Sequence, residues 1–291
     1  YEDTTWDNTS GWALRLHAHV RDMGVMKAAD DWVLNVRSGG QGKTTTAYAA
    51  DLDDDTLNEY VLCNDKVFLC FEGWGARLIK AFTYDAARGE AVEVVGVPVC
   101  NPAEESENEG ADNNRCSAFK DRYCTGRTNA YVDMDSFLVV APAAGSNSWT
   151  FTSADSNLVK VITLPAGRDA VRAEYRMKPA VGTMYTRYGL GPNQFDLMLH
   201  GHSNLAAAAD ASFRGLKNAA GGEAYVVAGR NMAFVDGAIA NAGWDNRELP
   251  LVQQFETVSS GTNWSVALAF SEATARDVDG DGLSNTNETA R

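Results

Sequence analysis

The sequence is short of cysteine pairs, of histidine and of long apolar runs, and each shortage removes a class of function. Its five cysteines, Cys63, Cys70, Cys100, Cys116 and Cys124, form no C-x-x-C pair, which argues against a structural zinc site. Only His17, His19, His200 and His202 could serve a cysteine nucleophile, and neither a Ser-His-Asp order nor a G-x-S-x-G string occurs. No apolar run approaches the roughly 18 residues of a membrane-spanning helix. Positive charge is also scarce: 25 Lys and Arg against 39 Asp and Glu leave a formal net charge of −14. Such a surface repels phosphate backbones and anionic lipid, so nucleic acid and membrane surfaces are poor partners. The chain opens at Tyr1 with no Met, basic stretch or apolar stretch. It therefore reads as a mature or processed product, or a fragment of something longer, and the location expected for it is extracellular or at the cell surface.

What remains is the pattern of a β protein. Residues 10–37 predict one long helix, with Ser10 as N-cap and an apolar stripe of Trp12, Leu16, Val20, Met23 and Met26, extended by Trp32 and Val36. Gly39 and Gly40 end it. This gives a helical segment over 1–38, a linker over 39–50, a β-sandwich over 51–270 and a tail over 271–291. Short β-rich runs are expected at 60–63, 66–72, 76–84, 91–97, 130–140, 148–152, 158–164, 170–177, 183–189, 195–200, 224–228, 232–236 and 263–270. The stretch 204–218 reads as a short helix or an Ala-rich loop. The fold class is mostly β, a large antiparallel β-sandwich preceded by one long N-terminal helix.

Asn64-Asp65 reads as a two-residue hairpin turn, which sets Cys63 opposite Lys66 and Cys70 opposite Glu59. Both thiols then read as small buried hydrophobes. Cys100, Cys116 and Cys124 bracket a polar stretch that cannot bury much apolar surface. One disulfide is expected among these three, with its connectivity open.

Two acidic strings point to a hard cation. Asp277-Val278-Asp279-Gly280-Asp281-Gly282, followed by Leu283, Asn285 and Glu288, fills every position of D-x-D-x-D-G-x₅-E. Calcium takes six to eight oxygens, here from Asp277, Asp279, Asp281, the Leu283 carbonyl, Asn285 and Glu288. The string has no clear incoming helix. A second candidate places Asp51, Asp53, Asp55 and Glu59 at positions 1, 3, 5 and 9, with Thr56 where glycine is wanted. Its alternative is a turn of solvated carboxylates. Ser38 to Thr45 imitates a phosphate-cradling loop, but it follows a helix instead of a buried strand and reads as a flexible linker. His200 and His202 share a strand face with no third ligand nearby, and His17 and His19 diverge by about 200° on a helix. Trp74 and Trp149 are candidate glycan contacts, set against the commoner role of aromatics as core.

The passage Asp51 to Asp85 carries a wider resemblance. A D-x-D-x-D loop, Glu59-Tyr60-Val61-Leu62, Asn64-Asp65-Lys66-Val67 and Gly75-Ala76-Arg77-Leu78 follow in order. This resembles the opening of the C-terminal β-sandwich of glycoside hydrolase family 57, the amylases and glucanotransferases acting on α-glucans. The 277–288 string resembles the stand-alone calcium loops of dockerins and thrombospondin type 3 repeats. The first resemblance implies an extracellular accessory module. Family 57 catalysis uses two carboxylates on a separate barrel. No segment here alternates strand and helix, so no catalytic residue is carried over. The expectation is a calcium-binding, non-catalytic module with a glycan-binding or supporting role beside an upstream catalytic domain. A structural surface or assembly protein, self-associating through calcium-stabilised copies, is the alternative. An α-glucan hydrolase with an unrecognised site is the third.

Overall fold

The computed structural model describes residues 4–5, 8–9, 11–96, 117–124, 130–131, 137–140, 145–179, 183–193, 205–235, 239–242, 252–281 and 285. In chain order a ribbon of β1 (Thr4–Thr5) and β2 (Asn8–Thr9) precedes helix α1 (Gly11–Arg37). Then come β3 (Thr46–Ala50), β4 (Glu59–Cys63), β5 (Val67–Phe71), β6 (Leu78–Asp85) and β7 (Glu90–Val95). The middle of the chain forms β8 (Lys120–Cys124), β9 (Ala130–Tyr131), β10 (Phe137–Val140), β11 (Ser148–Ser153), β12 (Leu158–Thr163), β13 (Ala170–Met177) and β14 (Thr183–Leu190). The rest forms β15 (Leu205–Ala209), β16 (Phe213–Asn218), β17 (Glu223–Ala228), β18 (Met232–Phe234), β19 (Ile239–Ala242), β20 (Val252–Ser259), β21 (Asn263–Ala269) and a one-turn helix, α2 (Glu272–Arg276).

Three antiparallel sheets build the sandwich. An eight-stranded sheet runs β10-β11-β12-β13-β21-β17-β16-β15, and a five-stranded meander runs β3 to β7. The third runs β18-β20-β14-β8-β9, with β19 also on β20. One apolar core joins all three, with Leu69 and Phe71 from the meander, Tyr188 and Leu190 from the third sheet, and Phe151, Tyr175 and Trp264 from the large one. Tyr175 stacks on Trp264 with centroids 5.0 Å apart. In β11 and β12 burial alternates residue by residue, as it must where one face meets the core. In β5, Val67-Phe68-Leu69-Cys70-Phe71, every residue is buried. Its second face is covered by α1, which explains an unbroken apolar run in an antiparallel sheet.

The face that α1 buries differs from the expected stripe. Val25, Ala29, Trp32 and Val33 pack on Val61, Phe68, Ile79 and Phe82 of the meander, while Val20 and Met23 stand 67% exposed. Trp32 fixes this choice, donating its Nε1–H to the Asn64 carbonyl at 2.7 Å. The β4–β5 turn also moves by one position. Cys63 pairs with Phe68 and Val61 with Cys70, so Asn64 and Val67 close the hairpin around Asp65-Lys66. Asn64 is the cause. Its Oδ1 accepts from the Lys66 and Val67 N–H groups, and its Nδ2 donates to the Arg168 carbonyl at 2.8 Å. Cys63 and Cys70 are buried free thiols, as expected.

The 204–218 stretch is neither helix nor loop but the β15–β16 hairpin. Asp210 Oδ1 makes the turn by accepting from the Ser212 and Phe213 N–H groups. Thr46–Ala50, inside the expected linker, is strand β3 paired with β4 from Thr46↔Cys63 to Ala50↔Glu59. The stretch 195–200 lies outside the described residues, as do His200 and His202.

Candidate metal centre

The first acidic loop, Asp51 to Glu59, joins β3 to β4 beneath α1. Its backbone turns twice into the left-handed region, at Asp54 (φ 61°) and Thr56 (φ 76°). Thr56 thus adopts the sharp turn that calcium loops assign to glycine at position 6. Asp51 holds the turn with both oxygens, accepting from Asp55 N–H at 3.1 Å and Thr56 N–H at 3.0 Å. Ligand oxygens of Asp51, Asp53 and Glu59 converge to within 4.8 Å of one another. Asp55 is not among them, and its Oδ1 accepts from Leu57 N–H instead.

Two features fit this cluster to a cation. Asp53 Oδ1 is buried and has no hydrogen-bond partner, a costly arrangement for a carboxylate unless something positive completes it. Glu59 is 5% exposed, and its Oε2 accepts from Leu52 N–H at 2.6 Å. Burial pushes its carboxyl up to about 7, the Leu52 N–H partly opposes this, and Asp53 and Asp55 add to it. Burial and the Asp55 charge likewise raise Asp53. Both shifts describe buried, crowded carboxylates, with the Arg21 charge opposing the rise at Asp53 only in part.

The second loop follows α2, so the acidic string does have an incoming helix, of a single turn. Ser271 caps it, accepting from Thr274 N–H. Asp169 anchors the cap by accepting from the Ser271 and Thr274 hydroxyls, each at 2.6 Å. Ala275 and Val278 pack with Phe213, Tyr225 and Ala267 on the outer face of the eight-stranded sheet. Arg168 Nη2 donates to the Asp277 carbonyl at 2.8 Å and clamps the loop to the β12–β13 turn. Oxygens of Asp277, Asp279 and Asp281 gather within 4.8 Å. Gly280 takes φ 79°, and a Cβ there would stand 2.5 Å from Arg168 Nη1. The positive φ favours glycine, and any side chain there would also have to displace the Arg168 guanidinium.

Asn285, the expected ninth-position ligand, is tied to the backbone at the base of the loop. It is 9% exposed, donating to the Ala275 carbonyl at 2.7 Å and accepting from Val278 N–H at 3.1 Å. It closes the loop's base. Gly282, Leu283 and Glu288 lie outside the described residues. So do Cys100 and Cys116, and Cys124 is described only as backbone of β8, so the disulfide remains a proposal.

Of the two glycan candidates, Trp149 is a core residue: 2% exposed, its Nε1–H donating to the Val61 carbonyl at 3.0 Å and its ring edge-on to Tyr60. Trp74 is 46% exposed in the β5–β6 turn. No sequence signal marked Arg168. Its role depends on a contact with residues 109 positions away.

These features define a helix-backed antiparallel β-sandwich carrying two acidic loops suited to a hard cation. No family model matches the sequence, and no curated protein matches it. Among solved structures, a bacterial glucoamylase complexed with acarbose aligns with 77% of this chain and 34% of its own, at 9% identity and a TM-score of 0.47. The 4-α-glucanotransferase of Thermococcus litoralis aligns with 78% of this chain and 39% of its own, at 10% identity and a TM-score of 0.41. YidC of Thermotoga maritima aligns with 84% of this chain and 56% of its own, at 8% identity and a TM-score of 0.46. The chain thus spans less than two thirds of each. Scores this low carry no argument about family or function.

Proposed function

We propose that this chain is an extracellular, non-catalytic β-sandwich module that binds calcium at two acidic loops. The observation that carries the reading is the convergence of three carboxylates in each loop, at Asp51, Asp53 and Glu59 and at Asp277, Asp279 and Asp281. Carboxylates this close repel one another unless a cation sits between them. Calcium fits better than zinc, since every donor is a hard oxygen. Extracellular loops of this kind bind at about 10⁻⁴–10⁻³ M.

Calcium added to chelator-treated protein raises stability by about 2.7 kcal/mol per ion at roughly 100 times Kd, and the melting temperature rises with it. Equal melting curves in calcium and chelator would remove the reading.

The glycan-binding or supporting role rests on the resemblance of Asp51–Asp85 to the family 57 sandwich and on exposed Trp74. Pull-down on starch and glycogen tests it, with Trp74→Ala as the variant that loses binding. Absence of binding to either polysaccharide contradicts it. The assembly reading has its own observation, the exposed Val20, Met23 and Leu34 on the outer side of α1. Sedimentation in calcium and in chelator separates the two, a monomer in both excluding assembly.

A further inference from the structure

Lys80 lies where α1 crosses the meander, at a point where the β5–β6 register shifts from Cys70↔Lys80 to Phe71↔Leu78. The shift turns its side chain toward the helix, beside Cys70, and buries it to 1% exposure. Its Nζ meets Asp22 Oδ2 of α1 at 2.9 Å and Glu93 Oε1 of β7 at 2.7 Å. It also donates to the Gly96 carbonyl. Glu93 is 1% exposed at its side chain and Asp22 13%. One amine and two carboxyls from three separate elements thus meet in a nearly water-free pocket.

We propose that Lys80 and Asp22 form an intramolecular amide cross-link between α1 and the meander, with Glu93 carrying the protons. The resting triad is ionic, because the two carboxylates hold Lys80 above its ordinary range despite its burial. Reaction begins when the Lys80 ammonium passes a proton to Glu93, which burial pushes up to about 7 and so suits to receive it. Glu93 hands that proton to Asp22, and the Nζ lone pair attacks Cγ of the resulting carboxylic acid and forms the C–N bond. Glu93 then takes a second proton from Nζ and delivers it to the departing Asp22 hydroxyl, which leaves as water. The C–O bond breaks and one water leaves. Lysine and aspartate become an amide, Glu93 is restored, and neither oxidant nor further reactant is consumed. Fixing the amine against the carboxyl replaces an encounter in water with a contact already made. Burial favours the neutral amide over the ion pair.

Position selects Asp22 as the acyl partner. It is the less buried carboxyl, so water can escape past it, and its bond to Lys80 would join α1 covalently to the meander. The other fully buried lysine makes the contrast. Lys160 Nζ touches Asp121 Oδ2 at 2.6 Å but is held by the Ala76 and Phe119 carbonyls, each at 2.9 Å.

Mass spectrometry of the purified full-length chain tests the proposal without any variant. The cross-linked protein weighs one water less than its sequence. Trypsin then leaves Lys80 uncut and yields Leu78–Arg88 joined to Asp22–Lys27. Lys80→Arg restores the full mass and separates the peptides, and Glu93→Gln delays or abolishes the loss. Wild-type protein of full sequence mass, with trypsin cutting after Lys80, overturns the proposal and leaves a structural ion triad. A one-water loss that persists in Lys80→Arg also overturns it, since dehydration must then lie elsewhere.

Discussion

A β-branched residue at positive φ is the least comfortable position in the described chain. Thr56 holds φ 76° because Asp51 captures its N–H and the acidic turn must close. Left-handed backbone costs an L-residue roughly 1–2 kcal/mol, and glycine's extra freedom when unfolded returns part of the gain. Thr56→Gly is therefore predicted to raise stability by up to about 1 kcal/mol and to tighten calcium binding at the first loop, measured by urea denaturation and calcium titration. At Lys160 the prediction has the opposite sign. Its ammonium joins Asp121 of the third sheet to the Ala76 carbonyl of the meander from a strand of the eight-stranded sheet. Lys160→Met leaves the fully buried Asp121 without a counter-charge and costs about 3–5 kcal/mol. Lys160→Met combined with Asp121→Leu is predicted to recover most of that loss. Equal stabilities for the single and double variants would show that the pair does not couple the sheets.

At the scale of elements, α1 is held through one residue more than any other. Trp32 packs on Phe68 and Tyr84 and donates to Asn64, the residue that closes the β4–β5 hairpin. Trp32→Ala is predicted to cost about 3–5 kcal/mol and to release helix signal before the sheets unfold, seen by circular dichroism. Element existence was legible wherever side chains alternate: the pattern places 170–177 and 158–164 correctly because one face is apolar. It fails at β8 and β20. In β8 the consecutive residues Lys120 and Asp121, on opposite faces of the strand, are both buried with their charges. In β20, Glu256 pairs with Arg187 at 2.9 Å across the sheet. A strand that buries ion pairs has no hydrophobic signature, and its partners are dozens of residues away. The α1 stripe holds at Met26, Trp32 and Val36 and fails at Val20 and Met23. Two apolar faces were available, and only the meander selects between them. The acidic loops were legible because calcium ligands are local in sequence, whereas Asn285's inward turn and the Arg168 clamp are tertiary.

For the whole molecule, the proposed calcium at the first loop would compete with protons for Glu59. Glu59 sits at about 7 when folded against an ordinary 4.5, so between those values the folded state holds more protons than the unfolded. Its contribution to calcium-free stability is fully present below about pH 4.5 and is lost as pH rises through about 7. Calcium needs the carboxylate, so its affinity should rise over that window and its stabilisation should be largest above it. A calcium affinity at the first loop that is flat from pH 5 to 8, roughly the span of that titration, would remove Glu59 from the ligand set.

The central claim is that the two loops hold calcium, and calorimetric titration of calcium into chelator-stripped protein tests it most directly. Two sites are predicted. Asp53→Asn removes one of them, at a residue whose Oδ1 bonds nothing in the fold, and Asp279→Ala with Asp281→Ala removes the other. Wild-type protein that binds no calcium, or variants that keep the wild-type stoichiometry, would contradict the account.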